Sequence, residues 1–202
     1  MLALQIKSDL YHHQGKAISN FERVLPAPHS DLAIQTLQDS YIFDFLQPDK
    51  KARETNIENK LVENITHFLL ALGKGFAFLG KQYELRIAGK EYFLDLLFYH
   101  TKLYCYVVIE LKNGDFKPEY AGKLNFYLSA VDDLLKSEAD QPTIGILLCR
   151  DKNKIRVEYA LRDINKPIGV SEYAFTEILP ESLKSDLPTI EELENDLNNT
   201  AS

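Results

Sequence analysis

The sequence predicts an α/β protein, a three-layer α/β/α sandwich around a mixed sheet with a partly irregular N-terminal extension. Three observations lead there. Residues 57–72, IENKLVENITHFLLAL, carry apolar side chains at 61, 62, 65, 68, 69 and 72, the spacing of an amphipathic helix. Strand-like segments with two-residue alternation follow it, and a second helical pattern covers about 118–135. TIGILLC at 143–149 is then an unbroken apolar run, which reads as a strand buried on both faces. Helix, antiparallel strands, helix and buried strand in that order fit helices packed on both faces of one sheet.

Taken in order, residues 1–20 suggest the end of a helix. Residues 21–57 read as an irregular segment with Pro26, Pro28 and Pro48 around a short helix near 31–38. The apolar groups of IFDFL at 42–46 are expected to pack on the main domain. Gly73 and Gly75 stop the 57–72 helix. Strands are expected at about 76–80, 82–88, 91–99 and 103–111, with AGKE as the hairpin turn between the second and third. Asn113-Gly114 should break the sheet, and Pro118 stands where a first-turn helical proline belongs. The 118–135 helix places Tyr120, Leu124, Tyr127, Leu128 and Val131 on one side. After KIRVEYAL at 154–161 a shorter strand is expected near 169–174. The end, LPESLKSDLPTIEELENDLNNTAS, is acidic and reads as one or two marginal helices with a frayed tip. No internal repeat is evident. The expected division is an extension over 1–56, a main domain over 57–175 and an acidic helical tail over 176–202.

Composition bounds the function. With 202 residues, 45% apolar and 26% charged, the chain has the make-up of an ordinary soluble domain. No run approaches the roughly 18 apolar residues that a bilayer span needs. The N-terminus, MLALQIKSDLYHH, is too short and polar for a signal peptide, so the cytoplasm is the expected location and no membrane partner is expected. Cys105 and Cys149 sit in apolar strand-like runs, where a free thiol behaves as a small hydrophobe. The five histidines lie in unrelated segments apart from the adjacent His12 and His13, so no zinc site and no histidine catalyst are assigned. Gly73 and Gly75 lack the spacing of a nucleotide-binding loop.

The most informative stretch is 91–112, EYFLDLLFYHTKLYCYVVIELK, which places Asp95, Glu110 and Lys112 in strands otherwise apolar enough to be core. Isolated charges are costly to bury, so these need a reason. Alternation puts Glu110 and Lys112 on one face of the second strand. A two-residue turn at Thr101-Lys102 would set Asp95 opposite Val108 and diagonal to Glu110, roughly 7–8 Å away, a separation across which two carboxylates can hold one hard cation. Downstream, KPEYAGK offers Lys117 and Lys123 at a helix N-terminus, where phosphate is favoured. They are the candidates for contact with a phosphate backbone, with Tyr120 expected to pack as core. Gln82 is a candidate to reach the same region from the neighbouring strand, the equal alternative being an ordinary polar strand residue.

Asp followed at a distance by Glu-x-Lys, here D-x14-E-L-K, resembles the signature of the PD-(D/E)xK nucleases, although such triplets are common on exposed strand faces. Longer segments are similar to the bacterial PDDEXK nuclease domain, or YhcG-like, family: 14–46, LGKGFAFLGKQYEL at 72–85, EYFLDLLFYHTKL at 91–103, VVIELKNGDFKPEYAGKLNFYLSAVDD at 107–133 and VEYALRDINKPIGVSEY at 157–173. One departure is Leu94, where the motif has proline, a change such folds tolerate. The resemblance implies a restriction-endonuclease-like fold and Mg²⁺-dependent hydrolysis of DNA, with Mn²⁺ as a substitute. Asp95, Glu110 and the Leu111 carbonyl would be the metal ligands, and Lys112 would orient water or neutralise charge on phosphate. Glu63 would be the helix acid that many such enzymes bring to the metal. The family also implies a separate N-terminal domain, so this chain is expected to be a C-terminal half whose targeting resides elsewhere.

Charge distribution bears on that expectation. The net charge of −7 is unlike a broad DNA-binding surface. Yet basic residues slightly outnumber acids over 60–130, whereas acids are nearly twice as many over 131–202. A homodimer would let two sites cut both strands, and the aromatic content permits such an interface. The competing expectation is a catalytically silent module of the same fold that binds DNA or protein. Metal affinity that depends on Asp95 separates the two. Nothing in the sequence chooses among DNA, RNA and branched junctions.

Overall fold

The computed structural model describes residues 17–43 and 54–175. Its strands are β1 (Ile18–Ser19), β2 (Ser40–Phe43), β3 (Phe76–Ile87), β4 (Lys90–His100), β5 (Cys105–Asp115), β6 (Ile144–Asp151) and β7 (Ile168–Phe175). The helices are α1 (Phe21–Val24), α2 (His29–Thr36), α3 (Glu54–Glu63), α4 (Ile65–Leu72), α5 (Pro118–Leu134) and α6 (Lys154–Leu161).

The seven strands form one sheet in the order β1-β7-β6-β5-β4-β3, with β2 also on β7. β3, β4 and β5 are antiparallel neighbours, β5, β6 and β7 run parallel, and α5 and α6 make the two parallel connections. The sheet is therefore mixed, as expected. Alternate side chains divide it into two faces. Leu96, Phe98, Val107, Ile109, Ile146 and Leu148 join Phe21, Leu37, Leu61 and Phe68 from α1 to α4 and their connections. Leu97, Val108 and Leu147 join Leu124, Leu128, Val131, Val157 and Leu161 from α5 and α6. Helices thus cover both faces, which completes the three layers.

Several elements differ from the expectations. The helix foreseen over 57–72 is two helices. Asn64 stands between them, with φ −109° and ψ 37°, and its side-chain amide donates to the Lys60 carbonyl at 3.0 Å. An asparagine that bonds locally competes with the helical ladder in this way. The two strands foreseen over 76–88 are one strand with a register shift between Phe78 and Gly80. The hairpin after it turns on Ala88 and Gly89 alone, both at positive φ (49° and 76°), and β4 already begins at Lys90. That pair of left-handed residues matches the twist of the flanking strands. β5 runs through Asn113-Gly114 to Asp115, with a shift in its register on β6 after Lys112.

The expected extension contributes strands. β1 pairs antiparallel and β2 parallel to β7, and Tyr41 and Phe43 are fully buried against Tyr173 and Phe68. Of the helix end expected over 1–20, the described part, 17–20, holds the strand β1 instead, because Ile18 and Ser19 pair with β7; residues 1–16, residues 44–46 of IFDFL and the acidic tail from 176 lie outside the described residues. Among the described residues no helix is long and apolar enough to cross a membrane.

Candidate active site

The site forms where two strands part. β4 and β5 pair in register from His100↔Cys105 to Leu96↔Ile109, and the ladder ends there. Beyond it β4 continues along β3 only, and β5 along β6 only. Backbone groups freed by such a split must find other partners. Side-chain carboxylates supply them: the Leu111 N–H donates to Asp95 Oδ2 at 2.9 Å, and the Asp95 N–H donates to Glu110 Oε1 at 3.3 Å. These acids therefore close the wedge as well as facing one another.

The register places Asp95 opposite Glu110, where the sequence reading had it opposite Val108. The turn explains the difference. It spans Thr101–Tyr104 rather than two residues, Leu103 tucks inside with its N–H donating to His100 Nδ1 at 3.1 Å, and Tyr104 takes φ 51°. Two added residues in the turn slide β5 by two positions and leave the faces unchanged.

A single ammonium stands at the focus of the oxygens. Lys112 Nζ lies 2.7 Å from the Leu111 carbonyl, 3.2 Å from Glu54 Oε2, and 3.6 Å from both Asp95 Oδ2 and Glu110 Oε2. Lys123, on α5, donates to Glu110 Oε2 at 3.0 Å with its Nζ 5.0 Å from the Tyr127 ring centre. Asp95, Glu110 and Lys112 are all buried, at 7%, 1% and 6% exposure. Burial, then the Asp95 charge, raise the Glu110 pKa, while Lys123 and Lys112 oppose the rise. For Lys112, burial works against the charge, yet Asp95, Glu110 and Glu54 outweigh it and raise the pKa, so the ammonium stays protonated.

A further acid comes from α3. Glu58 is 2% exposed and accepts from the Gln82 side-chain amide at 2.5 Å. Burial, followed by repulsion from Asp95, pushes its pKa up to about 7. Gln82 sits in β3 at φ 45°, between the pairs Lys81↔Leu96 and Tyr83↔Leu94, so it comes abreast of Asp95. A non-glycine residue held at positive φ inside a strand marks a local constraint, and here its side chain ends on Glu58. One turn earlier, Glu54 accepts from Lys112 Nζ through one oxygen and from the Asn113 N–H through the other, both at 3.2 Å.

Of the residues singled out in the sequence, Asp95, Glu110, Lys112, the Leu111 carbonyl, Gln82 and Lys123 converge. Lys123 pairs with Glu110 Oε2 at 3.0 Å while its side chain stays 45% exposed. Lys117 is exposed at the N-cap of α5, its Nζ 6.0 Å from the centre of the Tyr120 ring. Glu63 is displaced: it ends α3, exposed, while Glu58 faces the site. At 3.6 residues per turn the two acids are roughly 140° apart around the helix, so they cannot share a face. Glu58 borders the apolar arc of Ile57, Leu61 and Ile65, and an acid there was the available sign. Glu54 lay on the same arc with no comparable sign, because its partner Lys112 is 58 residues away.

The donor set suits a hard divalent cation. Two carboxylates and a carbonyl oxygen already gather around one positive charge, and such oxygens are the usual ligands of Mg²⁺ and Mn²⁺. Among the described residues no three His, Cys, Asp or Glu side chains form a metal cage.

A model of the family described as the YhcG PDDEXK nuclease domain matches residues 34–188. The chain is 34% identical over 148 residues to the Escherichia coli (strain K12) protein named "Putative nuclease YhcG", an alignment covering 73% of this chain and 40% of that protein. The chain thus spans well under half of that relative's length. Among solved structures it is similar to a repair endonuclease from Pyrococcus abyssi, at 17% identity and TM-score 0.41 over 65% of this chain and 50% of that one. It is also similar to EndoMS in complex with double-stranded DNA, at 17% identity and TM-score 0.43 over 67% and 48%.

Proposed function

Since the chain belongs to the YhcG PDDEXK nuclease domain family, we propose that it hydrolyses phosphodiester bonds of DNA as a Mg²⁺-dependent endonuclease domain, with Mn²⁺ able to substitute. The observation that carries this reading is the convergence of Asp95 Oδ2, Glu110 Oε2 and the Leu111 carbonyl on one point at the split between β4 and β5. Those three groups would hold the cation. When bound, it supplies positive charge that stabilises the developing phosphate charge and eases deprotonation of water.

The remaining residues divide the work around the scissile phosphate. Lys112 donates toward a phosphate oxygen or the attacking water and offsets charge that builds in the transition state. Glu58, with a pKa of about 7, can take a proton from water near neutrality, and the Gln82 amide fixes which way its carboxylate points. Lys123 holds Glu110 Oε2 in place and opposes the rise that burial and Asp95 impose on the pKa of that carboxylate. Lys117, exposed beside the site, contacts the DNA backbone. The role of helix acid, expected of Glu63, falls to Glu58 in this reading.

A cytoplasmic protein of bacterial DNA processing or defence fits this reading. The chain spans 40% of the length of its relative; in this reading substrate targeting would rest with a separate N-terminal domain, and a homodimer would bring two sites to the two strands. The test is cleavage by the double variant Asp95→Asn/Glu110→Gln. We expect no cleavage with an unchanged circular dichroism spectrum, and a folded double variant that still cuts DNA would refute the assignment.

A further inference from the structure

The oxygens around the Lys112 ammonium are of two kinds. Asp95 Oδ2, Glu110 Oε2 and the Leu111 carbonyl form an inner set, the same three groups assigned above to the cation. Glu54 Oε2, at 3.2 Å, belongs to a side chain that is 42% exposed and approaches from the outer side. An ammonium and a divalent cation that share the inner oxygens repel one another, and burial strengthens the repulsion. One of them must give way.

Glu54 is arranged to receive the ammonium. Its other oxygen accepts from the N–H of Asn113, the residue after Lys112, so the carboxylate is fixed to the strand that carries the lysine. The Tyr120 ring lies on a further side, its centre 5.6 Å from Nζ. The ammonium is already bonded to Glu54; to leave the inner set it releases one hydrogen bond, to the Leu111 carbonyl, and two longer ion pairs at 3.6 Å, to Asp95 and Glu110.

We propose that Lys112 is a built-in occupant of the cation site that yields to the metal by withdrawing onto Glu54, which makes Glu54 a positioning residue for Lys112 and a determinant of cation affinity. This rests on the nuclease reading above. Without the Glu54 carboxylate the ammonium's remaining anionic partners are the inner acids, so it competes harder with the cation. With no lysine present, Glu54 has nothing to receive.

The experiment is Mn²⁺ binding to the full chain, followed by electron paramagnetic resonance of the free ion, for wild type, Glu54→Gln, Lys112→Met and the double variant, with Asp95→Asn as reference. Glu54→Gln is expected to weaken binding about tenfold and Lys112→Met to tighten it. On the Lys112→Met background Glu54→Gln should change binding less than about twofold, a coupling that exposes action through the lysine. Lys112→Gln serves if Lys112→Met does not fold.

Equal weakening by Glu54→Gln on both backgrounds would show that Glu54 acts through its own charge, and would overturn this inference while leaving the nuclease reading intact. Weaker binding after removal of Lys112 would also overturn it. Binding that is unaffected by Asp95→Asn, or absent from wild type, would overturn the cation site itself and this inference with it.

Discussion

Glu58 gives the most quantitative handle on the site. It is 2% exposed, and burial first, then Asp95, lift its pKa to about 7 from the ordinary 4.5, with the Gln82 hydrogen bond acting in the opposite direction. A carboxyl whose pKa is higher in the folded than in the unfolded chain binds its proton more tightly when folded. Stability therefore falls as pH rises from about 4.5 and stops falling above about 7. At about 1.4 kcal/mol per pH unit, that interval amounts to about 3 kcal/mol present at pH 4.5 and absent at pH 8. Glu58→Gln removes the dependence, because the amide is neutral in both states and still offers an oxygen to Gln82. With chelator present, urea unfolding followed by circular dichroism should give nearly equal stabilities at pH 4.5. At pH 8 the variant should be more stable by about 3 kcal/mol, or roughly 6–12 °C in Tm for a chain of this size. Equal differences at both pH values, or a less stable variant at pH 8, would refute the claim that Glu58 is buried against the other acids.

Other perturbations test neighbouring parts of the account. Lys123→Met deprives the buried Glu110 of its 3.0 Å partner; the expected loss is about 1–3 kcal/mol at pH 8, shrinking at low pH where Glu110 is protonated, as thermal melts at two pH values would show. Gly145→Ala in β6 would put a Cβ 2.9 Å from Leu124 Cγ and 3.1 Å from Leu128 Cδ1. That should push α5 off the sheet and cost about 1–3 kcal/mol in urea unfolding. Gly122→Ala on α5 itself meets nothing within 4 Å and should stabilise by about 0.5–1 kcal/mol in the same assay.

How much of this was legible in the sequence depends on how local each signal is. Asp95, Glu110 and Lys112 stood out because ionic groups in apolar strands demand a reason, and strand alternation correctly put them on one side of the sheet. Their register did not follow, since nothing in the spacing of YHTKLYC at 99–105 distinguishes a turn of two residues from one of four. Only the packing of Leu103 under His100 decides it. Helical spacing marks the amphipathic segment, whereas the expectation for Glu63 rests on the family resemblance. The angle around the helix favoured Glu58 over Glu63. β1 and β2 were unreadable because their partner β7 lies more than a hundred residues away, and two- and four-residue strands carry too little pattern of their own. Gln82 was legible as a polar group near the site, whereas its positive φ and its bond to Glu58 are products of the fold.

The central claim is that Asp95, Glu110 and Lys112 form a cation-dependent phosphodiesterase centre. Its most direct test is cleavage of a panel of single-stranded, duplex and branched DNA, plus RNA, with and without Mg²⁺, by wild type and Asp95→Asn prepared identically. The account predicts cleavage of DNA that requires the cation and disappears in the variant. Cleavage that persists in Asp95→Asn or proceeds unchanged in chelator would contradict it.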